Sequence, residues 1–414
     1  MGTKYKDSGI PWIGMIPDDW EVIKLKQIVQ CLDSRRVPID AGDRIKGSYP
    51  YWGAGSIVDY VDNYIFDEEL ILLGEDGAPF FDKTRPVAFL VKERIWVNNH
   101  IHVLKTIRDC ASYITYCLNT VDYTHYINGS ILNKLTQSNM NKIAIILPPL
   151  PTQQRIADFL DRKCAEIDEL VALQETMIAE LKRYKQSVIT EAVTKGLDPD
   201  VPMKDSGVEW IGEIPIHWEI LQTKRIVRNH LQGYYDSDGY AMEGYRLLRI
   251  TDLLDDGNLT LKNSPFVKET PKIRDFALQR GDFCFARTGG AGSFGYVSEE
   301  IEPAVFASYL IRFRFSGQNN NYLRYYFLSH SFISEVNSLI HGGVNKNIHA
   351  DNIKETHLPI PPLSEQRAIA DYLDRKCAEI DELIAIKQQK IEALKEYKKS
   401  VIFEYVTGKK EVEE

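Results

Sequence analysis

The chain repeats itself, and the pattern of the repeat limits what it can fold into. Residues 6–21, KDSGIPWIGMIPDDWE, return at 204–219 as KDSGVEWIGEIPIHWE, an offset of 198 with eleven of sixteen positions identical. A second block, IADFLDRKCAEIDELV at 156–171, returns at 369–384 as IADYLDRKCAEIDELI, an offset of 213 with fourteen of sixteen identical. The second match extends backward without a gap, pairing 129–149 with 342–362. Between the repeated blocks, residues 27–126 and 226–340 share almost nothing, and the second insert is longer by 213 minus 198, or 15 residues. A plain duplication drifts everywhere at once. Constant frames around unlike inserts suggest instead that the frames meet a shared partner while the inserts meet different targets.

The frame reads as helix. After each Pro-Pro-Leu segment, Thr152 with Gln153, or Ser364 with Glu365, supplies a capped entry. Leu160, Cys164, Ile167, Val171, Gln174, Ile178, Leu181, Lys185 and Val188 then alternate at spacings of four and three. Leu373, Cys377, Ile380, Ile384, Lys387, Ile391, Leu394, Lys398 and Val401 repeat the pattern 213 residues on. A heptad seam of this kind predicts two paired helices of about 40 residues, each on the order of 60 Å long. Polar Gln174 and Lys387 within the seam would fix its register. Gly196 and Gly408 end the helices, and 197–202 forms an extended linker into the second KDSG block. If the copies obey a pseudo-twofold axis, the helices run antiparallel and the C-terminal end returns to the first KDSG block.

The inserts read as α+β. Strands are expected at 57–60, 70–73 and 87–91 with a helix at 112–121 in the first insert. In the second, strands are expected at 245–250, 282–287, 294–297 and 310–315 with a helix at 322–339. The expected division is 1–150 and 198–363 as the two globular domains, with 151–197 and 364–414 as helical spacers.

Composition narrows the function classes. No apolar run approaches the length of a membrane span, and the start MGTKYK carries Lys6 where a myristoylation signal wants Ser or Thr. A cytoplasmic protein without a lipid anchor is therefore expected. The six cysteines form no CxxC pair, which argues for reduced structural thiols over disulfides or zinc. A net charge of −9 counts against a simple basic nucleic-acid binder. Yet residues 222–358 hold 16 Lys and Arg against 15 Asp and Glu, a local balance of +1, so DNA binding is permitted there.

Searches for catalytic chemistry fail in context. Residues 290–295, GAGSFG, match GxGxxG literally, but a dinucleotide site needs a helix to start there, and a strand is expected instead. Arg287, Thr288 and Ser293 fit a strand-loop-strand tip that approaches phosphate or guanine, and a plain turn accounts for them equally well. No GxxxxGK[ST] is present, nor an Asn or Asp followed by Pro-Pro-Tyr, and no nucleophile triad or metal set emerges. Glu396-Tyr397-Lys398 resembles the tail of a nuclease motif but falls inside a frame helix. Asn98, Asn99 and His100 form a polar tip able to hydrogen-bond base edges. The aligned stretches from Gly129 and Gly342 each present Asn-Lys after a glycine turn. Asn133, Lys134, Asn345, Lys346 and Asn347 are thus further candidates, since Asn reads adenine and Lys meets phosphate or guanine. A polar turn needs no such role, so both readings stand for these groups.

The twin KDSG blocks, the PPLPTQQRIADFLDRK and PPLSEQRAIADYLDRK helix entries, the GLDPDVPMKDSG linker and the insert segments LLGEDGAPF, WVNNHIHVLK and GDFCFARTGGAGSFG together resemble the specificity subunits of type I restriction-modification systems. The resemblance covers almost the whole chain. It implies two pseudo-twofold-related α+β target recognition domains joined by two long antiparallel coiled-coil helices. Each domain would read one half of a split, asymmetric site on double-stranded DNA. It further implies two methyltransferase subunits gripping the frame and two restriction-translocase subunits joining them. S-adenosylmethionine, ATP and Mg would then belong to those partners and no cofactor to this chain. A coiled-coil adaptor without DNA reading is the competing expectation.

Overall fold

A computed structural model describes residues 4–82, 84–127, 133–235, 239–288, 292–339 and 347–412. The chain divides into two compact units, one of residues 1–175 with 388–414 and the other of residues 176–387. Each unit holds one insert and half of each long helix.

The inserts, unlike in sequence, share one topology. In the first unit a four-stranded antiparallel sheet runs in the order Val29–Cys31, Ile101–Thr106, Leu70–Gly74, Ala88–Val91. In the second the order is Val227–Gln232, Leu310–Phe315, Asp282–Ala286, Phe294–Tyr296. Each unit adds a three-stranded sheet with one antiparallel and one parallel pairing. These are Ile57–Val61, Lys46–Trp52 and Trp96–Val97 in the first unit, and Phe266–Val267, Tyr245–Leu248 and Ala304–Phe306 in the second. The central strand is buried on both faces in each unit, which explains why LILLG and DFCFA carry no polar alternation.

The expected strands are present, that at 245–250 ending two residues early at Leu248 before a 3₁₀ turn at Ile250–Asp252. The helix expected at 322–339 is two helices, Asn320–Leu328 and His330–Leu339. Ser329 between them is extended, at φ −68° and ψ 153°. Its hydroxyl donates to the Tyr326 carbonyl and accepts from the Phe332 amide, a local alternative to the helical ladder.

The spacer helices span Leu150–Lys195 and Leu363–Val406, 46 and 44 residues. They begin two residues and one residue before the expected caps at Thr152 and Ser364, and the predicted capping side chains do other work. Gln153 receives the Cys110 amide and donates to Asp109 and the Pro148 carbonyl. Its counterpart Gln366 receives the Asn319 amide and donates to Gln318 and the Pro361 carbonyl. Glu365 accepts from the Trp218 indole at 2.9 Å and lies 2.8 Å from His217 Nε2. These glutamines and Glu365 fasten insert or KDSG block to helix, so the repeat is a set of joints as well as a rod.

Helix pairing recurs in the same way within each unit. In the first, Lys398 Nζ meets Asp168 at 2.7 Å; in the second, Lys185 Nζ meets Asp381 at 2.6 Å. Asp381 is Asp168 moved on by 213 and Lys398 is Lys185 moved likewise, so one ion pair is made twice with the copies exchanged. Within each unit the contacting segments rise in one helix as they fall in the other, which makes the pairing antiparallel. Such exposed pairs contribute about 0–1 kcal/mol each and serve register more than stability. The seam expected from the heptads is buried at Leu160, Cys164, Ile167, Leu373, Cys377 and Ile380, and Gln174 is buried among them. Lys387 is half-buried, its ammonium 3.5 Å from the Met177 sulfur.

Both helices end on a glycine in the left-handed region, Gly196 at φ 77° and Gly408 at φ 67°. A Cβ on Gly408 would lie 2.4 Å from the Pro17 ring, so only glycine fits. Beyond it Lys409 donates to the carbonyls of Ile13 and Met15. The helix end thus returns to the first KDSG block, as the repeat predicts.

Candidate nucleic-acid interface

In both units the candidate residues gather at the end of the central strand. Glu75 follows the Leu70–Gly74 strand; its amide donates to the His100 carbonyl, and its carbonyl accepts from the Leu135 amide. Arg287 follows Asp282–Ala286; its amide donates to the Tyr309 carbonyl, and its carbonyl accepts from the Ile348 amide. Ile348 is the repeat counterpart of Leu135. Glu75 and Arg287 therefore hold one structural position, acidic in the first unit and basic in the second.

In the first unit this edge unites both predicted groups. Asn98, Asn99 and His100 form the turn between Trp96–Val97 and Ile101–Thr106, with the His100 amide donating to the Asn98 side chain. The Asn133 carbonyl accepts from the Gly77 amide, and Lys134 bridges to Asp76. Asp76 then receives Lys134 Nζ at 3.1 Å and lies 3.4 Å from His100 Nδ1. The bond to Asp76 holds the Lys134 ammonium above its ordinary pKa. Lys134 thus meets any phosphate already paired with a carboxylate.

Beneath this edge lies a buried polar group that the sequence reading missed. His102 stands on the Ile101–Thr106 strand beside the central one and is 1% exposed. Its Nδ1 donates to Asp33 at 2.6 Å and its Nε2 to the Leu135 carbonyl at 2.8 Å. Both ring nitrogens thus face oxygen. Arg36 reaches Glu75 at 2.6 Å, Asp33 at 3.4 Å and the Ile101 carbonyl at 2.8 Å. Arg36 thus pairs with both carboxylates of the group. Burial pushes the Asp33 carboxyl upward, but the His102 bond and charge, the Val103 amide and Arg36 outweigh it and hold its pKa below the ordinary value. Asp33, Glu75 and His102 have ligand atoms within 4.8 Å of one another, as a metal site would, yet the Arg36 guanidinium bonds both carboxylates and His102 Nδ1 lies 2.6 Å from Asp33, which fills that space. The signal in sequence was faint: the second of two histidines in WVNNHIHVLK, set between Ile101 and Val103.

In the second unit the described part of GxGxxG, residues 292–295, runs into strand. Asp282–Ala286 and Phe294–Tyr296 pair antiparallel, the Ala286 amide donates to the Ser293 carbonyl, and strand follows the glycines where a cofactor site requires helix. Arg287 and Thr288 are half-buried, Ser293 and Asn347 exposed. No described residue pairs with the Arg287 guanidinium, unlike Lys134. The Ile348 amide bond brings Asn347 beside Arg287. Gly290, Asn345 and Lys346 lie outside the described residues.

Known proteins resemble the chain over most of its length. The sequence model of the type I restriction modification DNA specificity domain matches residues 17–183 and 245–396. The type I restriction enzyme MjaVIII specificity subunit of Methanocaldococcus jannaschii is 25% identical, with 95% of this chain and 93% of that protein covered. A putative type I restriction enzyme specificity subunit of Haemophilus influenzae is 24% identical, with 85% and 86% covered. Among solved structures, a chain from a study of complex assembly and conformational transition of the type I R-M system superposes with a TM-score of 0.69 at 15% identity. That alignment covers 94% of this chain and 98% of that one.

Proposed function

Given that the chain belongs to the type I restriction modification DNA specificity family, we propose that each unit reads one half of a bipartite, asymmetric DNA site through the loop after its central strand. The chain is a DNA-specificity subunit and not itself an enzyme. One observation carries the division of labour: the frame makes the same contacts twice, while the loops it presents differ in charge, as Glu75 differs from Arg287. Arg287, Thr288, Ser293 and Asn347, with the undescribed Asn345 and Lys346, read the second half. Asn98, Asn99, His100, Asn133 and Lys134 read the first.

DNA and the modification and restriction subunits are the partners of such a chain. Two modification subunits are favoured by a doubled surface. Leu170, Leu173 and Tyr397 are about half exposed on the paired helices of the first unit. Their repeat counterparts Leu383, Ile386 and Tyr184 are equally exposed on the second. Apolar side chains on the outside of a helical pair seek a partner. Two like patches suit two copies of one adenine methyltransferase, and two restriction-translocase subunits complete the complex. S-adenosylmethionine, ATP and Mg reside in those partners, and the complex works in the cytoplasm. Among the described residues no helix is long and apolar enough to cross a membrane.

A methylation map of the host genome with and without this gene tests the reading. Loss of one split adenine motif on deletion is expected. An unchanged methylation map would overturn it.

A further inference from the structure

We propose that His102, Asp33, Arg36 and Glu75 are positioning residues, a buried lock that sets the shape of the first unit's reading edge and so governs which bases it accepts. The proposal rests on the reading assigned above to that edge.

Four segments far apart in sequence converge on this group. Asp33 and Arg36 come from the turn after Val29–Cys31, Glu75 from the loop after the central strand, His102 from the strand leaving the 98–100 turn, and the Leu135 carbonyl from the segment that carries Asn133 and Lys134. Arg36 also reaches back to the Asn99 carbonyl at 3.4 Å. Both predicted contact groups of the first unit are thus tied to a single buried imidazole and a single guanidinium. A shift of the ring moves 133–135 through Leu135; a shift of Arg36 moves the Asn98–His100 turn.

The fold does not require the lock. Strand pairing sets His102 opposite Leu73, and in the second unit the same pairing sets Ile311 opposite Phe285. His102 therefore has isoleucine as its counterpart, buried in the same topology. Burying charges costs free energy that a well-packed apolar side chain avoids. Where an apolar residue builds the same sheet, the imidazole is accounted for by the two backbone segments it fixes. Both units hold this segment to the loop by one backbone bond, Leu135 to the Glu75 carbonyl and Ile348 to the Arg287 carbonyl, and in the first unit His102 adds its bond to the Leu135 carbonyl.

The test uses the full chain with its own partner subunits in the host, carrying His102→Gln or the double change Asp33→Asn with His102→Ile. The double variant copies the second unit's residue and removes the carboxylate it would strand. Genome-wide methylation is read at sites that match one half of the motif and differ by one base in the other. Relaxation of the first half is expected, with methylated fraction rising at least about tenfold at first-half mismatches and staying at background for second-half mismatches. An unchanged motif, or a uniform fall at cognate sites with no new sites, would overturn the lock by giving His102 a merely structural role. If the double variant fails to accumulate, His102→Gln decides alone by the same criterion. A wild-type strain with no split motif would instead remove the DNA-reading assignment, and the lock with it.

Discussion

The two inserts share a strand order and almost no sequence, and they differ most where the central strand ends. The first unit places Glu75 and Asp76 there, neutralised by Arg36 and Lys134 above a buried imidazole. The second places Arg287 and Thr288 there, and no described residue pairs with the guanidinium. The strands beneath are interchangeable apolar scaffolding, LILLG against DFCFA. The difference teaches that this architecture constrains a loop's position and backbone bonds while leaving its charge open. Under the function proposed above, the acidic edge would discriminate by shape and hydrogen bonds and the basic one by direct attraction to phosphate or guanine.

Exchanging residues 27–126 for the insert of another family member would strain this comparison most. One half of the methylated motif should be replaced outright and the other kept, as read by methylation mapping; change in both halves would show that the units do not read separately. Next in size is the frame. Trp218→Ala should lower stability in urea unfolding by about 3–5 kcal/mol, since the indole is fully buried and bonded to Glu365. Trp20→Ala should fall at the low end of that range, because the counterpart of Glu365 is Thr152, a weaker acceptor than a carboxylate. Equal losses would mean the Glu365 bond contributes little. At the edges, Arg287→Ala should weaken DNA binding by about 1–3 kcal/mol, roughly 5- to 150-fold. Lys134→Ala should weaken it less, its charge being already shared with Asp76 and Glu75. The reverse order in a fluorescence titration would contradict the contrast between the two loops. The smallest effect concerns acid. The folded pKa of Asp33 is depressed, so its stabilisation is complete above the ordinary carboxyl value and is lost as pH falls through the lowered one. Asp33→Asn should therefore flatten the acid limb of the stability curve, measured by urea unfolding at stepped pH; an unaltered limb would show that Asp33 is not held down.

The frame was legible because two copies of a block make each other visible. The heptad seam, the glycine ends and the return of the second helix to the first KDSG block all followed from periodicity and offset alone. The joints did not, because Gln153 and Glu365 look like helix caps until their partners at Cys110 and Trp218 are known. Ser329 hid a break because its neighbours keep helical spacing on both sides. In the inserts, strands could be placed but sequence comparison failed to reveal their common topology, since strand order depends on pairing and not on residue identity. The lock escaped for a similar reason. His102 has one polar neighbour in sequence, His100, whereas its partners Asp33 and Leu135 come from 69 and 33 positions away.

The ion pairs Asp168–Lys398 and Asp381–Lys185 supply the molecule with its own experimental control. A spacer-helix substitution at a position where the copies are identical, such as Asp168 or Lys185, can be made a second time 213 positions on, with the same side chain and the same facing residue, beside a different insert. Where the two copies respond alike, the effect belongs to the rod. Where they diverge, the excess measures how strongly that insert is mechanically coupled to it, a quantity that a chain without internal repetition can provide only by comparison with a different protein.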